Sequence, residues 1–337
     1  MEIALTGGTG TLGRTLLPAL VAAGHSVRLL LRPTATLSTL SLPAGVIPVP
    51  VALTDSQAVA TALGSSELVI HAAALQTGTP AQQQSVAIDG TRSVLAAMDL
   101  VGIQRLVGLG SLAVYDYAAL RPGAVLTEFS PFENAPARRD TYTQCKLAQD
   151  HLFRQEGLGT PAACRATIVL RPGIFYSNPQ QWPIGLGKAI GPHRWALMGP
   201  LNRFHRLPLV HVNDVARGVL AAVDRLASAG TASRSMEAFN LVEPDAPLAT
   251  DVLAALQRHP HSPTCVRVPW GLQSASAHAL DRLNTLLGRR LPLPGLLRPE
   301  WMASRFCQLE FDVSQAQTVL GWNAQHRLLN TLASLPT

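Results

Sequence analysis

Residues 6–13 read TGGTGTLG and follow directly on the apolar run IAL at 3–5. No other stretch of the chain restricts its fold as much. A glycine loop that leaves a strand and opens a helix, here continuing through LLPALVAAG at 16–24, is the first turn of a dinucleotide-binding βαβ unit. Gly7 permits the tight turn, Gly10 lets backbone amides approach a pyrophosphate, and Gly13 allows the helix to pack closely on the strand. The anion then sits at the helix N-terminus, where unpaired N–H groups and the helix dipole favour it. Thr9, Thr11 and Leu12, set among these glycines, belong to the same expected cofactor-binding set.

The rest of the chain continues the pattern. Strand candidates at 26–31, 46–51, 68–73, 105–110 and 165–171 alternate with amphipathic stretches such as 80–100 and 142–156. That alternation predicts right-handed crossovers and an α/β doubly wound (Rossmann) fold on a parallel sheet of about seven strands. After Arg171 the rhythm stops, and 172–208 is rich in Pro, Gly and Trp without a clear period. It resumes with a helix at 212–226 and a strand at 238–242; the remainder is mostly helical. Residues 1–171 and 209–242 are therefore expected to form the nucleotide-binding domain, and 172–208 with 243–337 a smaller substrate lobe.

Composition removes several classes. With 14% charged and 47% hydrophobic residues the chain is globular, not disordered. No apolar run reaches the roughly 18 residues of a membrane span, and MEIALTGGTG has no signal-peptide pattern. Cys145, Cys164, Cys265 and Cys307 form no C-x-x-C pair, which predicts no metal site and a reducing, cytoplasmic setting. The net charge of +6 is uneven, with seven Lys/Arg against two acids at 258–305 and five against one at 186–217. This suits an anionic ligand such as a phosphorylated cofactor or acidic substrate, or a plainly solvated surface. His193, Arg194, Arg203 and His205 read the same two ways. No dense basic block is interleaved with aromatics, so nucleic acid is not expected.

Cofactor choice is read at the second strand, which ends LLLRP. An acid at this point would hold the ribose 2′-hydroxyl of NAD. Arg32 stands there instead, and a guanidinium suits a 2′-phosphate. Arg14 could assist from the helix start. NADP(H) is expected in preference to NAD(H).

Further on, YTQCK at 142–146 places Tyr142 and Lys146 on one helical face. A lysine near a phenol lowers a pKa otherwise about 10, but the pattern alone is common. It gains meaning beside HAAA (71–74), GSLAVYD (110–116), LRPGIFY (170–176), LVHVNDVA (209–216) and FDVSQAQTVLGW (311–322). With TGGTGTLG, these seven motifs in order resemble the extended or atypical short-chain dehydrogenase/reductase superfamily, the NAD-dependent epimerase/dehydratase family, over nearly the whole chain.

The resemblance implies that Tyr142 is the general acid/base and that Ser111 donates to the same substrate oxygen. It further implies that Lys146 binds the nicotinamide ribose and lowers the tyrosine pKa. Ala72 and Ala73 would line the adenosine side, Leu53 and Ala74 would also bind the cofactor, and Pro172, Gly173 and Ile174 would flank the nicotinamide. Departures from the pattern are Ala52 where an adenine-binding acid often stands, and Ala87 in place of an Asn. Asp55 reads as the cap of the next helix. Ile174 occupies the place of the diphosphate-binding Asn of sugar-nucleotide enzymes, and Leu112 follows Ser111 where dehydratases need an acid. RPG resembles instead the dihydroflavonol-reductase and 3β-hydroxysteroid-dehydrogenase side. Reduction of a ketone or aldehyde by NADPH is thus the expected activity on a small-molecule substrate. A nucleotide-sugar epimerase/dehydratase and a non-catalytic NADP-binding regulator are the alternatives, and a homodimer is left open. Trp182, Trp195 and Phe204 within 176–206 would either wall an apolar pocket under a lid or simply pack. The insertion at 116–141 would cover the site.

Overall fold

The structure is a computed structural model, describing residues 1–35, 42–158, 165–228, 236–260, 262–288 and 293–335. Cys164 of the sequence argument lies outside these residues. The chain opens with β1 (Glu2–Thr6), α1 (Thr11–Ala22), β2 (Ser26–Leu31), β3 (Val46–Pro50) and α2 (Ser56–Leu63). β4 (Leu68–His71) leads into one long helical stretch: α3 (Pro80–Gln84), a π turn (Ser85–Asp89) and α4 (Gly90–Val101). β5 (Arg105–Leu109), the short β6 (Val125–Leu126), α5 (Thr141–Leu158) and β7 (Ala166–Pro172) follow. Then come β8 (Ile174–Tyr176), β9 (Gly187–Gly191), β10 (Arg194–Leu197), β11 (Leu209–His211), α6 (Val212–Ser228) and β12 (Met236–Leu241). The C-terminal part holds α7 (Ala249–Gln257), β13 (Thr264–Arg267), α8 (Trp270–Leu286), α9 (Pro299–Arg305), β14 (Glu310–Phe311), α10 (Ser314–Val319) and α11 (Leu328–Ala333).

Seven strands form one parallel sheet in the order β12-β7-β5-β4-β1-β2-β3, the doubly wound fold that the strand-helix alternation predicts. Its central strands are buried and mostly apolar because helices cover both faces. Alternate side chains of β1 divide accordingly. Ile3 and Leu5 join Leu16, Leu20, Val219 and Val223 from α1 and α6, while Ala4 joins Val59, Leu63, Val94, Met98 and Phe153 on the other face. β3 carries Pro48 and Pro50, which a sheet tolerates at its edge, where this strand lies. Asp55 does cap α2, its Oδ1 accepting the Ala58 N–H at 3.0 Å. The sheet order reverses between β4 and β1, so a crevice opens at their C-terminal ends.

Segment 172–208 is more regular than its composition predicts. β8 pairs with β11, and β9, β10 and β13 form a separate small sheet. Strands of three to five residues separated by Gly and Pro are too short to display a period. The insertion at 116–141 is also structured. β6 pairs with β14, and Arg138 bridges to Asp281 of α8 at 2.7 Å and Glu300 of α9 at 2.5 Å.

Candidate active site

At the end of β1 the chain must turn against β4 with almost no clearance. Gly7 has φ +75°, and a Cβ there would fall 2.6 Å from the Ala72 carbonyl carbon. A Cβ on Gly13 would fall 2.3 Å from Gly8 Cα. Only glycine permits either approach. Gly10, by contrast, is exposed, and its Cβ position meets only the Gly7 carbonyl oxygen, at 3.4 Å. The loop is therefore packed behind and open in front. No side chain caps α1 and no acid stands in its first turn, leaving a helix start suited to an anion. Arg14 Nε donates to the Thr9 carbonyl at 3.1 Å, bracing the loop. Thr9 is half-buried, Thr11 exposed and Leu12 buried. Arg32 is exposed directly after β2, and no ion pair engages it among the described residues. These features fit a dinucleotide: a bare backbone cradle for the pyrophosphate and a free guanidinium on the ribose side.

The remaining site residues come to the same edge of the sheet. Ser111 follows β5 and starts a short 3-10 turn, its Oγ accepting the Ala113 N–H at 3.2 Å. It is thus a cap, and with Gln76 it is one of the side chains near enough to the Tyr142 phenol to act on its pKa. Burial raises the Tyr142 pKa, the Ser111 and Gln76 hydrogen bonds oppose it, and Asp140 adds to the rise. Lys146 lies one turn further along α5, only 5% exposed. Its Nζ donates to the Leu109 carbonyl at 2.7 Å and to Gln149 Oε1 at 2.9 Å.

This corrects one expectation. The phenol is shifted up, not down, and Lys146 is not among the groups acting on it, because the ammonium is turned toward β5 and Gln149. The lysine is perturbed as well. Burial lowers its pKa from 10.5 to about 8, against the pull of Asp150 and Cys145. Of the 27 Lys/Arg in the chain only Lys146 and Lys188 are lysines. Arginine resists deprotonation and fills nearly every other cationic place; the buried one beside Tyr142 is a lysine, which can titrate.

Behind Lys146 runs a buried polar chain that the motifs do not announce. Thr91 Oγ1 donates to the Ala87 carbonyl at 2.6 Å within the π turn. That uses its one proton, so His71 Nε2 must donate to it, at 2.9 Å, as Gln149 Nε2 does at 3.0 Å. His71 Nδ1 then accepts from Thr6 Oγ1 at 2.8 Å, and Thr6 accepts the Ala73 N–H at 3.2 Å. Gln149 Nε2 also reaches the Ala73 carbonyl at 3.2 Å. The assignment requires a neutral His71, and burial, aided by the Lys146 charge, holds its pKa down to about 3. Thr6, His71, Thr91 and Gln149 thus join the glycine loop to Lys146 without an unpaired atom. Sequence reasoning missed Gln149, three residues after the lysine, and Gln76, because neither lies in a recognised motif position.

α5 itself is fixed to the sheet by a bidentate pair, Arg171 Nε to Asp150 Oδ2 at 2.8 Å and Nη2 to Oδ1 at 3.0 Å. Arg171 also donates to Tyr115 Oη at 3.0 Å, and Tyr115 to Asn240 Oδ1 at 2.8 Å. Pro172 is buried at the end of β7. A Cβ on Gly173 would fall 2.1 Å from the Pro208 carbonyl oxygen, which is how the chain crosses from β7 to β8. Ile174 begins β8 and packs on the Tyr176, Leu207 and Leu209 cluster. Leu53 is half-buried against Gly90, and Ala74 is half-buried beyond Ala73.

In segment 172–208 the two tryptophans left open between pocket wall and packing touch each other, and one histidine reading changes. Trp182 and Trp195 pack on one another, with ring centroids 5.4 Å apart. His205 is not a surface group. It is fully buried against Phe306, in space left by Gly199, and burial lowers its pKa to about 4. Cys145, Cys265 and Cys307 are free thiols, and among the described residues no cluster of His, Cys, Asp and Glu could hold a metal.

Comparison with known proteins agrees with this geometry. A family model described as NAD(P)H-binding matches residues 7–188. A 4-hydroxy-2-methyl-3-oxo-4-farnesyl-3,4-dihydroquinoline-1-oxide ketoreductase of Stigmatella aurantiaca is 32% identical over 67% of this chain and 65% of its own. A 3-beta-hydroxysteroid dehydrogenase of Mycolicibacterium neoaurum is 25% identical over 72% and 66%. The chain thus spans about two thirds of the length of these relatives. A UDP-glucose-4-epimerase from Stenotrophomonas maltophila, solved with bound NAD and formylated UDP-arabinopyranose, superposes with TM-score 0.70 at 19% identity, covering 99% of this chain and 96% of that one. A UDP-glucuronic acid 4-epimerase from Bacillus cereus, with UDP-glucuronic acid and NAD, gives 0.69 at 18% identity, covering 99% and 97%. At such identities these two structures speak for the fold alone.

Proposed function

The chain belongs to the extended short-chain dehydrogenase/reductase (NAD-dependent epimerase/dehydratase) family, and from that footing we propose that it is an NADPH-dependent reductase of a ketone or aldehyde. The observation carrying this reading is the Ser111–Tyr142 contact beside a buried Lys146. The bound nicotinamide would supply the hydride. Tyr142 Oη, its pKa raised by burial, keeps its proton at neutral pH and can deliver it to a carbonyl oxygen that is gaining charge. Ser111 Oγ–H is a second donor to that oxygen. Lys146 has three N–H donors, of which two are engaged, leaving one for a ribose hydroxyl. Arg32, with no competing acid, supports NADP(H) over NAD(H).

The two relatives named for a ketoreductase and a 3-beta-hydroxysteroid dehydrogenase favour carbonyl chemistry, as do Ile174 and Leu112 in the places where sugar-nucleotide enzymes need polar groups. On this reading 172–208 and 243–337 form the substrate lobe. The test is turnover with NADPH or NADH against panels of ketones, aldehydes and sugar nucleotides, for the parent and for Tyr142→Phe. Reduction of a carbonyl compound with NADPH, and loss of at least about a hundredfold in Tyr142→Phe with NADPH binding retained, is expected. Turnover confined to sugar nucleotides, or a fully active Tyr142→Phe, would overturn the reading.

A further inference from the structure

Helix α8 carries its residues in the reverse of the usual order for a surface helix. Its buried positions are Gln273, Ala277 and Asn284, and the Gln273 amide oxygen and nitrogen are buried without hydrogen-bond partners. One of its outward faces is apolar. Leu286 is 85% exposed, Leu272 66% and Leu283 47%, with Leu287 just beyond the helix at 47%; Ala275 and Ala279 are exposed between them. Leu272, Ala275, Ala279, Leu283 and Leu286 stand at i, i+3, i+7, i+11 and i+14. At 3.6 residues per turn they fall within about 80° of arc, forming one continuous stripe. A single exposed leucine needs no explanation, but a row of them along a 17-residue helix marks a surface that something covers.

Charge indicates what that is. α8 lies within the stretch 258–305, which holds seven Lys/Arg and two acids. Both acids, Asp281 and Glu300, are engaged by Arg138. Arg258, Arg267 and Arg282 are exposed, and among the described residues no carboxylate pairs with them. Arg282 borders the stripe on α8 itself. Arg267 precedes the helix by three residues, next to Val266, which is 39% exposed. An outward apolar row edged by unpaired guanidinium groups matches an anionic lipid surface, the leucines entering the acyl boundary and the arginines meeting headgroup phosphates. A second copy of the chain would set the same positive edge against itself, which like-charge repulsion opposes.

We propose that α8 docks the protein on an anionic membrane surface, lying in the plane of the interface. Among the described residues no helix is long and apolar enough to cross a bilayer. The inference rests on the exposure and charge of α8 and is independent of the activity assigned above.

The experiment is flotation of the full chain with vesicles of phosphatidylglycerol and phosphatidylcholine, compared with phosphatidylcholine alone, at low and high salt. Binding to the anionic vesicles is expected to exceed that to neutral ones by about tenfold or more and to weaken with salt. The double variant Leu283→Glu with Leu286→Glu should lower binding by about tenfold or more while its thermal melting stays close to the parent's, since both positions are exposed. Arg267→Glu with Arg282→Glu, which leaves the leucines in place, should lower it too and serves if the first pair aggregates. Absence of binding to anionic vesicles at low salt, or undiminished binding by both double variants, would overturn the proposal. So would a dimer in light-scattering chromatography that the leucine pair converts to monomer, because a second copy would then own the stripe.

Discussion

Replacing Gln149 by Leu removes the oxygen that accepts from Lys146 Nζ at 2.9 Å and nearly preserves the side-chain volume. Burial already lowers the lysine pKa from 10.5 to about 8, a penalty of about 3 kcal/mol on the ammonium at about 1.4 kcal/mol per pH unit. A hydrogen bond to a charged group contributes about 1.5–3 kcal/mol. Without Gln149, only the Leu109 carbonyl still accepts from Nζ among the contacts described. The pKa of Lys146 should therefore drop further, by about one pH unit or more. Gln149→Glu should move it up instead, because a carboxylate replaces the amide.

Two lysines in 337 residues make this directly measurable. Lysine labelled with carbon-13 gives two side-chain signals to follow by NMR, with exposed Lys188 as internal reference, and no substrate is required. The same perturbation has a sign in stability. Between about 8 and 10.5 the unfolded chain holds a proton that the folded chain has released, so native stability should rise with pH across that window. Below it, charged Lys146 costs the folded state the full penalty. Denaturant titrations of the parent should show the rise, and Lys146→Met should lack it. If Lys146 titrates near 10.5 in the parent, or if Gln149→Leu leaves its midpoint unmoved, the account of the buried chain is wrong.

Other expectations are simpler to state. Arg32→Ala should weaken NADPH binding by about 2 kcal/mol and leave NADH nearly unaffected, read by fluorescence titration of both; equal losses would remove the 2′-phosphate assignment. Asp150→Asn leaves the Arg171 guanidinium buried without its carboxylate, and should destabilise the fold by about 3–5 kcal/mol in chemical denaturation. Gly13→Ala drives a methyl group to 2.3 Å from Gly8 Cα and should cost about 1–3 kcal/mol of stability along with dinucleotide affinity, measured by melting with and without NADPH.

The sheet was readable from the chain because buried parallel strands leave apolar blocks of the right length between helical periods. The glycine loop was readable for a related reason, since each backbone approach forbids any side chain. Segment 172–208 was not, because β8, β9 and β10 are shorter than any detectable period, and β8 and β10 take partners from β11 and β13, about 35 and 70 positions later. In the site, Tyr142 and Lys146 share a face as their spacing requires. What the spacing could not convey is which way the ammonium turns. That depends on Gln149 and on the carbonyl of Leu109, and is decided by three-dimensional packing of a polar side chain that would look ordinary on any helix. His205 failed as a surface residue for the same reason, its burial depending on the space at Gly199.

The bridge from Arg138 to Asp281 and Glu300 also bears on how the protein is made. Arg138, in the loop that leads into Tyr142, leaves the ribosome some 140 residues before Asp281, an interval of roughly 7–30 seconds at ordinary synthesis rates. During that time the glycine loop, β4, β5 and α5 can assemble, and the approach to Tyr142 is held by nearby partners such as Glu133 with Arg139 but lacks its tether to the C-terminal helices. β12, needed to complete the sheet, arrives meanwhile. A nascent chain halted before α8 should thus form the glycine loop and most of the sheet before it gains the tether from Arg138 to the C-terminal helices.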